Sequence, residues 1–168
     1  MQGKKAANAE IEEVVDKKKV VLSIDMTKGD VQRLSEALKT IFYGDMSAAG
    51  KMSLVKNSMA IIKKSKELDE ERKLAYEGLI PEEFKKLGEK QRNGEELTSE
   101  ESEEFSRMNR QYGMKLQEMY ENLDNEKVVL RITPLSVADY KILLEANKNK
   151  ITGDGFVSIY QYLIEQED

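Results

Sequence analysis

The sequence predicts an α+β fold: a small sheet of two or three strands covered by amphipathic helices, with a long antiparallel helical hairpin inserted between two β-α units. Three observations carry this. A short β-branched run followed by a capped amphipathic helix occurs twice, around Val20 and around Val128. Between the two copies, Met52 to Leu123 is periodic in apolar residues at helical spacing and strongly charged. Finally, 39% apolar with 35% charged residues suits long solvent-washed helices around one modest core, which 168 residues are enough to bury. The chain divides accordingly into an N-terminal helix or arm (1–16), an α+β body (17–50 and 125–168) and the hairpin insertion (51–124).

In order, Lys4 to Asp16 carries a weak helical stripe of Ala6, Ala7, Ile11, Val14 and Val15. After Lys17-Lys18-Lys19, the run Val20-Val21-Leu22-Ser23-Ile24 is the first strand. Thr27 precedes Asp30 by three residues, a capping box in which each side chain satisfies a free backbone N–H at a helix start. The helix it opens runs to about Phe42, with Val31, Leu34, Leu38, Ile41 and Phe42 on one face and Gly44 placed to stop it. The device recurs at the other end of the chain. Lys127-Val128-Val129-Leu130-Arg131-Ile132 matches Lys19 to Ile24 at five of six positions, and Ser136 with Asp139 forms a second capping box. The following helix turns Tyr140, Leu143, Leu144 and Ala146 inward. Phe156 to Ile164, rich in aromatic and β-branched residues, reads as either a third strand or a closing helix, since strand alternation leaves neither side cleanly polar.

The hairpin begins with Leu54, Ile61, Leu68 and Ala75 at intervals of seven, with Val55, Met59, Ile62, Tyr76 and Leu79 beside them. Pro81 ends or kinks this helix. A short helix through Phe84 and Leu87 follows, then a turn at Asn93-Gly94 and a third capping box, Thr98 with Glu101. The last helix carries Phe105, Met108, Tyr112, Met119 and Leu123. Two helices of about 25 residues would each span roughly 37 Å, more than a core of this size requires. They either project from the body as an antiparallel pair or fold back over the sheet.

Charge is segregated on this hairpin. Residues 67–104 hold 14 acidic and 6 basic side chains, a net of -8, whereas the rest of the chain nets +3. An antiparallel pairing brings Asp69, Glu70 and Glu71 close to Glu100, Glu101, Glu103 and Glu104, a repulsive arrangement that a basic partner would relieve. These seven residues form the candidate partner-binding site. The bland explanation is that acids in the first turn of a helix favour its dipole and that charged faces are solvated.

Chemistry is constrained by what is missing. Without Cys or His, disulfides, zinc-thiolate sites and Ser-His or Cys-His catalysis are ruled out. No cofactor and no metal are expected. Gly44-Asp-Met-Ser-Ala-Ala-Gly50-Lys51-Met-Ser53 imitates a phosphate loop, but it has five residues between the glycines, lacks the Ser or Thr after the lysine, and follows a helix rather than a strand. Asp154 to Tyr162 imitates the second half of an EF-hand loop, yet Lys150, Thr152 and Gln161 fall where calcium ligands belong. No apolar run could span a membrane, and overall acidity without interleaved aromatics argues against direct nucleic-acid binding. The expectation is a cytoplasmic protein, or one carried in a virion. It would be a non-enzymatic interaction or assembly protein using the hairpin to hold a protein partner, another copy of itself included. The alternative is a small acidic inhibitor or decoy of a nucleic-acid-binding protein, of the kind phages and mobile elements encode.

Overall fold

The computed structural model describes residues 21–164, so the expected N-terminal helix or arm, the Lys17–Lys19 cluster and the acidic tail from Glu165 lie outside it. The elements are β1 (Leu22–Thr27), α1 (Lys28–Lys39), α2 (Ala48–Leu79), α3 (Glu82–Arg92), α4 (Ser99–Asn125), β2 (Lys127–Ile132), α5 (Val137–Asn147) and α6 (Gly153–Leu163). Two β-α units enclose a helical insertion, and the fold is α+β as the sequence predicts. No helix among the described residues is long and apolar enough to cross a membrane.

The sheet is an antiparallel ribbon in which Leu22, Ile24 and Met26 face Ile132, Leu130 and Val128. These six share one side of the pleat. Met26 and Ile132, near opposite ends of the ladder, are fully buried, while Ser23, Asp25, Val129 and Arg131 point to solvent. β1 starts at Leu22, paired with the last residue of β2, and leaves Val21 exposed, while Val20, expected in the same strand, lies outside the described residues. Thr27 is both the last strand residue and the N-cap of α1, so strand passes into helix with no turn between them. The ladder is extended one step by the Lys28 N–H, which donates to Glu126 O at 2.8 Å.

Helix α1 stops at Lys39, short of Phe42. Phe42 is not on the buried face: its side chain is 58% exposed, and its backbone is held by Asn147, whose Oδ1 accepts from Phe42 N at 2.7 Å and whose Nδ2 donates to Phe42 O. A second buried asparagine does the same at the end of β2. Asn57 Nδ2 donates to Thr133 O at 2.8 Å and Asn57 Oδ1 accepts from Thr133 N at 2.9 Å. Both amides thus complete backbone pairing where regular structure ends, which a buried peptide group requires.

The first half of α2 belongs to the body. Leu54, Ile61 and Leu68 pack with Val31, Leu34, Ile132, Leu143 and Ile159 in one core. The buried stripe at intervals of seven, assigned to the hairpin from sequence, therefore serves the sheet and α1 as far as Leu68, and the insertion proper departs only after it. Met59, expected beside that stripe, lies on the opposite face and is 69% exposed. In α5, Leu143 is buried but Leu144 faces outward. The last element is a helix. Thr152 caps it by accepting from Gly155 N at 3.2 Å, and Gly155, Ile159 and Leu163 form a buried row at intervals of four. A β-carbon on Gly155 would meet Ile151 at 2.7 Å and Ala37 at 3.3 Å, so glycine lets α6 approach α1. All that remains of the strand alternative is one parallel bridge from Ile164 to Leu135.

Candidate functional site

Beyond Leu68 the chain builds a helical arm with its own small core. Pro81 ends α2 and serves as the N-cap of α3, leaving Ile80 extended. Ile80, Phe84 and Met108 are buried together, with Tyr76, Leu79, Phe105, Tyr112 and Leu116 around them. Phe84 stacks on Phe105 with ring centres 5.1 Å apart and tilts against Tyr112 at 6.2 Å, an arrangement that adds about 1 kcal/mol per pair to simple burial. All eight residues come from 76–116, so the arm closes on itself rather than over the sheet.

The turn between α3 and α4 follows from local chemistry. Gly94 takes φ +75°, open to glycine but costly for other residues, and the Glu95 N–H donates to Lys90 O at 3.0 Å. Thr98 then opens α4 with a reciprocal box: Thr98 Oγ1 accepts from Glu101 N and Glu101 Oε2 accepts from Thr98 N at 3.0 Å. Glu101 also pairs with Lys90 across the turn. The Lys90 hydrogen bond and then the Thr98 N–H hold the Glu101 carboxyl below its ordinary value, and Arg107 does the same for Glu104.

This pairing corrects the expected juxtaposition of acids. Arg72 of α2 pairs with Asp124 at the base of α4, whereas Lys90 of α3 pairs with Glu101 at its start. At 1.5 Å per residue, Glu101 and Asp124 lie roughly 34 Å apart along α4. Asp69, Glu70 and Glu71 are therefore not beside Glu100, Glu101, Glu103 and Glu104. Because Pro81 ends α2 early, α3 and not α2 lies against the first turns of α4. The first group sits where α2 leaves the body: Asp69 accepts from Gln32 Nε2 at 2.9 Å, Glu71 pairs with Lys28 at 2.7 Å, and Glu70 is exposed. Lys28 also pairs with Glu126 at 2.6 Å; burial works against its charge, but the two carboxylates prevail and raise its pKa. These acids tie the arm's root to α1.

Three of the second group, Glu100, Glu101 and Glu104, line a groove of about 500 Å³ between α3 and α4. Leu87, nearly buried, forms its floor together with the stems of Lys86 and Lys90, and Glu83, Glu100, Glu101 and Glu104 rim it. Glu103 lies on the adjacent exposed face of α4 with Glu100, Arg107 and Arg110. Leu87 and Lys90 were not among the residues expected at the site. Their signal was the apolar Phe84 to Leu87 spacing, whose meaning depends on α3 packing against α4. Such a groove can seat an apolar side chain while its carboxylates hold flanking cations.

The imitation phosphate loop has a different role. Ser47 caps α2 and accepts from Gly50 N at 2.9 Å, while Asp139 Oδ1 accepts from Ser47 N at 2.7 Å and Oδ2 from Ser47 Oγ at 2.9 Å. The protein's own carboxylate occupies the place an anion would take at this helix start. A β-carbon on Gly50 would run into that carboxylate. Compared with family models, curated proteins and solved structures, the chain matches none.

Proposed function

We propose that this chain is a non-enzymatic interaction or assembly protein whose arm docks a protein partner in the groove between α3 and α4. The observation that carries this reading is the groove itself. An apolar floor at Leu87, rimmed by Glu83, Glu100, Glu101 and Glu104, stands on an arm whose own small core shares no residue with the core of the body. Building and capping such an arm orders some 50 residues, a conformational cost that body stability does not explain. The two buried carboxylates, Asp30 and Asp139, are both engaged by hydrogen bonds to helix caps and neighbours, which favours a structural role over acid–base work.

The decoy reading retains the net charge of -8 over 67–104. Against it, Glu101 and Glu104 are already paired with Lys90 and Arg107, and the seven acids divide between the two ends of the arm. The test is a double reversal, Glu100→Lys with Glu104→Lys, in the full chain, beside a control reversal of Glu118 and Glu121 near the arm's root. Cross-linking in cell extract should show a bound protein, or a second copy of the chain, that disappears with the first pair and persists with the second. Equal capture by both would sink the proposal.

A further inference from the structure

We infer that the occupant of the arm's groove is the exposed basic face of α2 from a second copy of this chain, so that copies join head to tail. The inference rests on the reading of the arm as a docking surface and names what docks there. Along the outer face of α2, Met52, Lys56, Met59, Lys63 and Lys66 follow one another at steps of four, three, four and three. All five are exposed, the two methionines by 51% and 69%. Among the described residues none of the three lysines pairs with a carboxylate. No acidic residue occurs between Ala48 and Lys66, while Lys51, Lys56, Lys63, Lys64 and Lys66 do. Apolar side chains alternating with cations on one helix face are the complement of an apolar floor rimmed by glutamates.

Methionine is unbranched and polarizable and fits an irregular slot such as the one over Leu87. Lys56 and Lys63 lie one turn to either side of Met59, within reach of a rim in which Glu100 and Glu104 are themselves a turn apart. A single copy cannot satisfy itself. The basic face precedes Arg72 on α2, and the groove lies roughly 34 Å past the Arg72 contact at the far end of α4. Nor can two like surfaces meet, since face would repel face and groove would repel groove. Each contact joins unlike surfaces, so copies either close as a reciprocal two-fold pair, making the contact twice, or propagate it as a ring or an open filament.

Sedimentation velocity on the full chain tests this with two variants, neither touching a fully buried side chain: Lys56→Glu with Met59→Glu on the face, and Glu100→Lys with Glu104→Lys at the groove. Unfolding is excluded by circular dichroism. The wild type should grow in mass with concentration and lose at least about tenfold in association when ionic strength rises from about 0.05 to 0.5 M. Each variant alone should remain a 19.2 kDa monomer. An equimolar mixture should form pairs and nothing larger, because one intact face then meets one intact groove and both chain ends are blocked. The inference is overturned if the wild type stays monomeric, if the groove variant still self-associates, or if the mixture stays monomeric. It is equally overturned if the basic face instead binds vesicles of anionic lipid or single-stranded DNA. Should the wild type be monomeric while the groove reversal still abolishes capture of another protein, the occupant named here is wrong and the docking reading stands.

Discussion

The two β-α units open their helices with the same four-residue device and then direct its carboxylate to different neighbours. In the first, Asp30 accepts from Thr27 N at 3.2 Å and Thr27 Oγ1 at 2.8 Å, completing the box, and reaches across to Arg33 and to the Tyr162 hydroxyl at 2.6 Å. In the second, Ser136 Oγ accepts from Asp139 N at 3.1 Å, but Asp139 leaves the Ser136 N–H and turns to Ser47 at the start of α2. One carboxylate locks α1 onto the closing helix. The other joins the starts of two helices 92 residues apart. A local motif thus fixes where a helix begins, while the residue it strands at its third position is free to choose the tertiary contact.

If that comparison is right, the largest effect belongs to Asp139. Asp139→Ala strips Ser47 N–H and both serine hydroxyls of a buried charged acceptor and should cost about 3 kcal/mol, on the order of 10 °C in melting temperature. Asp30→Ala should cost less, about 2 kcal/mol, because one of its partners, Arg33, is largely exposed and regains water. Urea melts of the two variants decide it; equal losses would mean that the link from α5 to α2 adds nothing to the cap.

Gly50 sharpens the point through a reversal of sign. In an isolated helix Gly→Ala gains about 1 kcal/mol. Here the new methyl would strike the Asp139 carboxylate, so Gly50→Ala should lose about 1 to 2 kcal/mol. In an Asp139→Ala background the obstruction is gone, and the same change should stabilise. A double-mutant cycle with no change of sign would break this account of the contact.

The first unit differs in its response to acid. Burial alone would raise the Asp30 carboxyl, but hydrogen bonds from Tyr162, Arg33 and Thr27 more than reverse this and hold it at about 2, against an ordinary 3.8. A lowered folded pKa means a contribution complete above about pH 4 and lost as pH falls toward 2. Burial and the bond to Asp30 push Tyr162 up to about 12, so its share is lost only as pH rises from 10 through that value. Tyr162→Phe should cost about 1 kcal/mol at neutral pH and move the acid limb of a stability–pH curve to higher pH. In an Asp30→Asn background that displacement should vanish.

How much of this was legible in the sequence follows from the range of each contact. The caps at Thr27, Ser136 and Thr98, the break at Pro81 and the turn at Gly94 are settled within four residues, and all were readable. The ladder Lys127–Ile132 was readable from its β-branched run, though the start of β1 depends on its partner. What could not be read is non-local. Asp139 selects Ser47 across 92 residues, Asn147 holds Phe42 across 105, and the face Met59 presents depends on which side of α2 the sheet covers. Of the candidate site, the glutamates were visible as charge. The groove was not, because its floor at Leu87 exists only once α3 rather than α2 lies along α4. Phe156 to Ile164 hid its helix because Val157 and Tyr160 are apolar yet exposed, while the buried face includes the small residues Gly155 and Ser158.

The smallest effect is the closest test of what the two units share. Thr27 Oγ1 and Ser136 Oγ each accept from the backbone N–H three residues on, at 3.1 Å in both cases, and each donates back to that residue's carboxylate. Replacing either hydroxyl by alanine should therefore cost about 1 kcal/mol, and the two losses should agree within a few tenths. Combination with the carboxylate changes then separates the units. With Asp30→Ala, the Thr27→Ala loss should shrink, since cap and carboxylate form one closed box and removing either half weakens the other. Ser136→Ala should keep more of its cost beside Asp139→Ala, because that carboxylate owes most of its bonds to Ser47. Equal coupling in both pairs, measured by the same urea melts, would make the two aspartates equivalent and leave the contact to Ser47 as a consequence of the fold rather than one of its supports.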